Sequence, residues 1–161
     1  MNYYTSHVRP LMDYASPLWN MGYRGDLELL ERIQRRWTKA VRGLEGVPYG
    51  ERLKRLDLFS FQGRLLRADL IMVWKIFYNK CAIKPDDLFQ QAPQVATRGH
   101  QLKIFVPRVS RDTRKRFFSH RVITRWNSLS PLTVSADSIE KFKALLRHDL
   151  GDALFQFPGS L

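Results

Sequence analysis

Between Ser60 and Asn79 the apolar residues recur with the period of a helix: Leu66, Leu70, Val73 and Phe77 form one stripe, and Leu65, Met72 and Ile76 widen it. One neighbour cannot cover a stripe this wide, so a chain that contains it must pack several helices around a central one. Ser60 stands where an N-cap is needed and predicts the helix over roughly Phe61 to Asn79. The expected fold class is therefore mainly α, a small helical bundle with this segment at its core.

The rest of the chain supplies candidate partners. Val8, Leu11, Met12 and Ala15 recur at spacings of three and four, with Pro10 starting or kinking that helix and Pro17 stopping it. Asp26 is placed to cap a second helix along Leu27, Leu30, Ile33, Trp37 and Val41, ended by Gly43. Its other faces carry Arg32, Arg35, Arg36 and Lys39, with Glu28 and Glu31 at helical pairing distance. A short helical turn covers Tyr49 to Leu56. From Lys80 to Asp112 the periodicity is broken by Pro85, Pro93, Gly99 and Pro107, which predicts a long irregular connection with room for one short strand or hairpin at Gln101 to Val106. Helix returns near Thr113 and runs toward Trp126. Asp137 and Glu140 form a capping box for a last helix bearing Ile139, Phe142, Leu145 and Leu146, and a frayed tail is expected after Gly151. The expected organisation is a helical region over 1–80, the connection over 81–112 and a basic helical region over 113–161.

Charge is distributed unevenly. Arg98 to Arg125 holds nine Lys or Arg against the single acid Asp112, and Arg32 to Arg55 holds eight against Glu45 and Glu51. Together these tracts exceed the net charge of +12, so the rest of the chain is slightly acidic. Cationic surface so concentrated repels itself unless a polyanion is near, which points to nucleic acid as partner. The candidate nucleic-acid-binding residues are Arg35, Arg36, Lys39, Arg42, Arg98, Lys103, Arg114, Lys115, Arg116, Arg121 and Arg125. Phe105, Phe117, Phe118 and Trp126 interleave the second tract, and Phe117, Phe118 and Trp126 are expected as core anchors before stacking platforms.

Other classes find little support. No run of 18 apolar residues occurs in the 161, and the start lacks a basic-then-apolar leader, so the expectation is a soluble intracellular protein, nuclear or cytoplasmic, with no membrane partner. Cys81 is the only cysteine, and His7, His100, His120 and His148 are widely spaced and expected at the surface or as caps, so no metal or cofactor is expected. Gly43, Gly46 and Gly50 do not form a phosphate loop, and no serine, histidine and acid constellation emerges; no catalytic residue is assigned.

Six blocks occur in order: Tyr4 to Asn20, Leu30 to Arg42, Tyr49 to Leu58, Arg64 to Lys75, Thr97 to His100, and Phe117 to Leu129, with Phe142 and Lys143 beyond. In that order, over nearly the whole chain, they resemble the region C-terminal to the polymerase palm in reverse transcriptases of jockey-like non-long-terminal-repeat retrotransposons. The resemblance implies that the first blocks belong to the helical thumb that grips the template–primer duplex, with Arg9, Arg32, Arg35, Arg36 and Lys39 on or near it. It places the basic block Arg114 to Arg125 in a C-terminal extension. The chain departs from the family where chemistry is concerned. Polymerisation needs palm carboxylates that hold two metal ions, and the only Asp-Asp here, Asp86-Asp87 after Lys84-Pro85, reads as an ordinary helix start. The expectation is a non-catalytic fragment, without palm or endonuclease. Two alternatives stay open: a protein-interaction module that docks on a polymerase body, and a decayed reading frame without a selected role.

Overall fold

In the computed structural model, which describes residues 3–93 and 99–157, Pro17 begins a helix where the sequence pattern suggested an end. Pro10 lies within a continuous helical stretch in which a π-helical turn over Tyr4–Val8 runs directly into α1 (Arg9–Asp13), the kinking of the two roles the pattern allowed it; Pro17 lies in the first turn of α2 (Ser16–Trp19), a position where a missing N–H costs no hydrogen bond. Ala15, left-handed at φ 50°, makes the break between them. Leu11, expected in the apolar line, is 80% exposed. α3 (Arg24–Lys39) starts before Asp26, which sits in the first turn, where its charge suits the helix dipole, and does not form the cap. α4 covers Tyr49–Arg55, and α5 covers Phe61–Phe77. The chain divides into two compact units, Met1–Leu66 with Gly151–Leu161, and Arg67–Leu150. The boundary falls inside α5, unlike the division at 81–112 that composition suggested.

Unit one is organised by buried polar groups as much as by apolar ones. The face of α3 that is buried carries Leu27, Glu31, Gln34 and Thr38, whereas Ile33 is 44% exposed. Hydrogen bonding explains the departure. The Gln34 amide Nε2 donates to the Phe59 carbonyl (3.0 Å) and the Tyr49 hydroxyl (3.1 Å), while its Oε1 accepts from Tyr4 (3.0 Å) and from Arg64. Glu31 accepts from the Tyr49 hydroxyl and, at 2.9 Å, from the backbone N–H of Phe61, a donor that the first turn of α5 would leave orphaned. Burial pushes the Glu31 carboxyl above the usual range and raises the Tyr49 hydroxyl as well. Around this network Leu27, Phe61 and Leu65 form one apolar cluster and Tyr49, Leu53 and Leu58 another.

From Gly151 to Phe157 the segment is not frayed, and the remainder of the expected frayed tail lies outside the described residues. A 3-10 turn over Gly151–Phe155 buries Leu154 completely, and the Leu154 carbonyl accepts from the Ser60 N–H (2.9 Å) and the Ser60 hydroxyl (3.1 Å). Ser60 Oγ also accepts from Gly63 N–H at 3.0 Å, the N-cap bond predicted for it. Phe155 packs edge-on against Phe59, and Phe157 against Tyr49. Gly63 is required here for space: a Cβ would lie 2.8 Å from the Leu154 Cα and closer still to its carbonyl. Gly63→Ala is therefore expected to destabilise unit one by about 1–3 kcal/mol, the range for overpacking, despite alanine's better helix propensity. A denaturant midpoint at or above the wild type would contradict this close approach.

Unit two holds the rest of α5 and the segments up to Leu150. Leu70, Val73, Trp74 and Ile76 are buried with Ile104, Val122, Trp126, Phe142 and Leu146. Trp74 stacks on Phe142 at 5.6 Å and Phe77 on Trp126 at 5.4 Å. α6 (Pro85–Leu88) begins with the Lys84 N–H bonded to Asp87 at 2.9 Å, so the Asp-Asp pair is a helix start as expected. No strand forms among the described residues; a single antiparallel bridge joins Gln91 and Ile104. The bridge is reinforced by side chains. Asn127 pairs with both the N–H (2.9 Å) and the C=O (2.7 Å) of Ile104, Trp126 Nε1 donates to Leu102 (2.7 Å), and His100, buried and not at the surface, bonds the Trp126 carbonyl at 3.0 Å. The helix expected from Thr113 to Trp126 is instead three short ones, α7 (Asp112–Lys115), α8 (Phe118–Arg121) and α9 (Ile123–Asn127), with extended backbone at Phe117 breaking the first from the second. α10 spans Pro131–Val134, and α11 spans Ile139–Leu150. Ser138, not Asp137, bonds the Lys141 N–H at the start of α11 (3.2 Å), while the Asp137 carboxylate pairs with the Lys141 ammonium.

Candidate nucleic-acid interface

On α3 the residues Arg32, Arg36 and Lys39 are spaced at four and three and share one exposed face. The acids expected to neutralise them are occupied elsewhere: Glu28 pairs with Arg24 at 2.8 Å and Glu31 is buried against Tyr49. Arg36, Lys39 and Arg42 have no carboxylate partner among the described residues and lie open to solvent. Arg35 is held differently. Its guanidinium lies over the Tyr49 ring at 4.9 Å and the Phe157 ring at 5.2 Å, which fixes the cation in place without neutralising it. Elsewhere in the first basic tract, Arg52 is buried over Tyr49 and Arg55 pairs with Glu51 at 3.3 Å.

Unit two sorts its cations into two groups. Arg121 leaves the candidate set: its Nε and Nη2 each donate to Asp69 at 2.8 Å, Nη1 donates to the Arg116 carbonyl at 3.0 Å, and the plane lies over Phe118. Two parallel bonds to a buried carboxylate on α5 make this a packing element. Burial raises the Asp69 carboxyl, and Arg121 only partly offsets it. Lys115 pairs with Asp112 at 2.9 Å, a solvent-exposed contact that water and salt screen; that bond and the ammonium charge hold the Asp112 carboxyl below its usual range. Lys103 and Arg116 are half-buried, Arg125 is exposed, and Arg98 lies outside the described residues.

Two residues that the sequence pattern did not single out complete the site. Arg108 and Arg111 are exposed and, among the described residues, have no carboxylate partner. With Arg114 they follow at every third position, a regularity visible in the sequence. Phe117, expected in the core, is 48% exposed, because the extended backbone that breaks α7 from α8 turns it outward while Phe118 turns in. Trp126 is fully buried, as expected for an anchor. Arg108, Arg111, Arg114, Phe117 and His120 line an open cleft of about 530 Å³.

No family model, curated protein or solved structure matches the chain. Among the described residues no helix is long and apolar enough to cross a membrane, and no group of three or more His, Cys, Asp or Glu could hold a metal ion. The physical character of the two basic tracts is therefore what bears on function: exposed guanidinium and ammonium groups, few acids beside them, and aromatic rings that fix or accompany them.

Proposed function

We propose that the chain binds RNA or an RNA–DNA duplex through the sugar–phosphate backbone, as the thumb and post-thumb part of a retroelement reverse transcriptase whose chemistry is performed elsewhere. The observation that carries this reading is the state of α3. Arg32 stays unneutralised because Glu28, one turn before it, is committed to Arg24, and Arg36 and Lys39 on the same face have no carboxylate partner among the described residues, so the face is open to an outside polyanion. Contacts of this kind position a nucleic acid by shape and charge with little reading of bases. Titration of a labelled RNA–DNA heteroduplex over a salt series tests it. The log–log slope is expected to be about −0.7 to −0.9 per phosphate neutralised, and Arg36→Gln with Lys39→Gln should flatten it by about that amount for each phosphate no longer neutralised. Affinity indifferent to salt would overturn the proposal.

A second reading, docking onto a polymerase body, is supported by a different feature of unit one. Leu11, Tyr14 and Leu18, within eight residues of one another, are each about four-fifths exposed. Apolar surface gathered in this way marks protein contacts in many proteins. Sedimentation of the purified chain separates the two: self-association relieved by Leu11→Ser and Leu18→Ser favours docking, and a monomer that binds heteroduplex favours the first.

A further inference from the structure

The cleft beside α7 has the parts needed to hold a single unpaired nucleotide. We propose that it takes one base of a single-stranded RNA or DNA segment against the Phe117 ring, with the flanking phosphates held by Arg108, Arg111 and Arg114. This rests on the nucleic-acid reading of the chain, but it assigns a site, a ligand class and a mode of contact that phosphate-led duplex binding does not require.

Four observations converge. The volume, about 530 Å³, lies inside the ~300–1,000 Å³ range of small-ligand clefts. Phe117 presents about half its surface to solvent although it stands next to Phe118 and Val122, which are turned inward. An exposed ring set among arginines is the arrangement on which bases stack, since every base offers a π-face and the guanidinium groups meet the backbone. The cations are also available: Arg108 and Arg111 have no carboxylate partner among the described residues, and Asp112, the single acid of the sequence tract, is engaged by Lys115. Finally, Arg114 is oriented. Its Nε donates to His120 Nε2 at 3.3 Å, which leaves the terminal nitrogens of the guanidinium for another acceptor. Burial, together with the Arg114 charge, holds the His120 ring below its usual titration range, so near neutral pH the ring is an acceptor and does not compete with Arg114 as a second cation.

Acidic protein segments would also be drawn to three arginines, but they have no use for the exposed ring. That difference sets the test. Fluorescence anisotropy is measured with a labelled single-stranded 12-mer RNA and with a heteroduplex of the same length, on wild type, Phe117→Ala and Arg111→Gln, with polyglutamate as competitor. Phe117 is half-exposed, so Phe117→Ala should lower the melting temperature by only a few degrees and leave the chain folded at the temperature of the assay.

Loss of stacking should weaken single-strand binding roughly 5- to 100-fold at unchanged salt slope, while heteroduplex binding changes less than about twofold. Arg111→Gln should instead reduce the single-strand salt slope by about 0.7. If Phe117→Ala leaves single-strand affinity within twofold while salt-dependent heteroduplex binding persists, the nucleotide site is wrong and the phosphate-led reading survives. If neither nucleic acid binds at low salt, both fail. If polyglutamate displaces the single strand as well from wild type as from Phe117→Ala, the cleft is a general anion site and the proposal is overturned.

Discussion

Arg121→Ala is expected to destabilise unit two by about 3–5 kcal/mol, because it strands the Asp69 carboxylate in the interior without a counter-charge. The carboxylate side chain is 5% exposed and the guanidinium 15%. Urea unfolding would report the loss as a lower midpoint with little change in slope. The loss should also depend on pH. Burial already raises the Asp69 carboxyl above its usual value, and removal of Arg121 takes away the main group opposing that rise. A folded-state pKa above the unfolded one means that the native state binds the proton more readily, so the variant should regain stability as the pH falls through the raised value and lose it above. Replacing both partners by apolar residues, as in Asp69→Leu with Arg121→Met, should recover much of the loss. Equal stability of Arg121→Ala and wild type at neutral pH would show that the arginine adds nothing to the packing, and would return it to the binding set.

The second large effect is expected at the other end of the chain. Leu154→Ala should cost unit one about 2–5 kcal/mol, the range for emptying a fully buried leucine site. Leu154 is not exchangeable with a surface leucine: its carbonyl is the acceptor for both the N–H and the hydroxyl of Ser60, and its backbone lies against Gly63. Leu132→Ala, at a position 63% exposed, is the control and should stay within about 0.5 kcal/mol. An unmoved midpoint for Leu154→Ala would mean that the segment after Gly151 contributes nothing to the fold.

The mainly α class was legible because the stripe on α5 is long and its period unmistakable, and Ser60 marked its start correctly. The errors have a common physical origin. Pattern reading places apolar residues inward and polar ones outward, but Glu31 and Gln34 are buried because each finds partners that no local sequence reveals, 15 to 30 positions away. The tail after Gly151 was misjudged for the same reason, since its partners Ser60 and Gly63 stand some 90 residues earlier. Within the basic tracts, sequence located the charge but not its disposition. Arg114 and Arg121 look alike as letters; one lines a cleft and the other clamps Asp69. The exposure of Phe117 followed from a break in the helix at that residue, which the continuous polar and apolar pattern around it concealed.

Because the stretch 67–150 is inserted between the two pieces of unit one, the order in which a nascent chain can complete its parts is reversed. Domains usually finish in the order in which they emerge from the ribosome. Here the inserted stretch is whole before the first piece has received its closing turn, so Ser60 and Gly63 await their partner until some 90 further residues have been made. A chain cut after Leu150 would spare every residue of the inserted stretch, yet leave the amino-terminal helices unsealed.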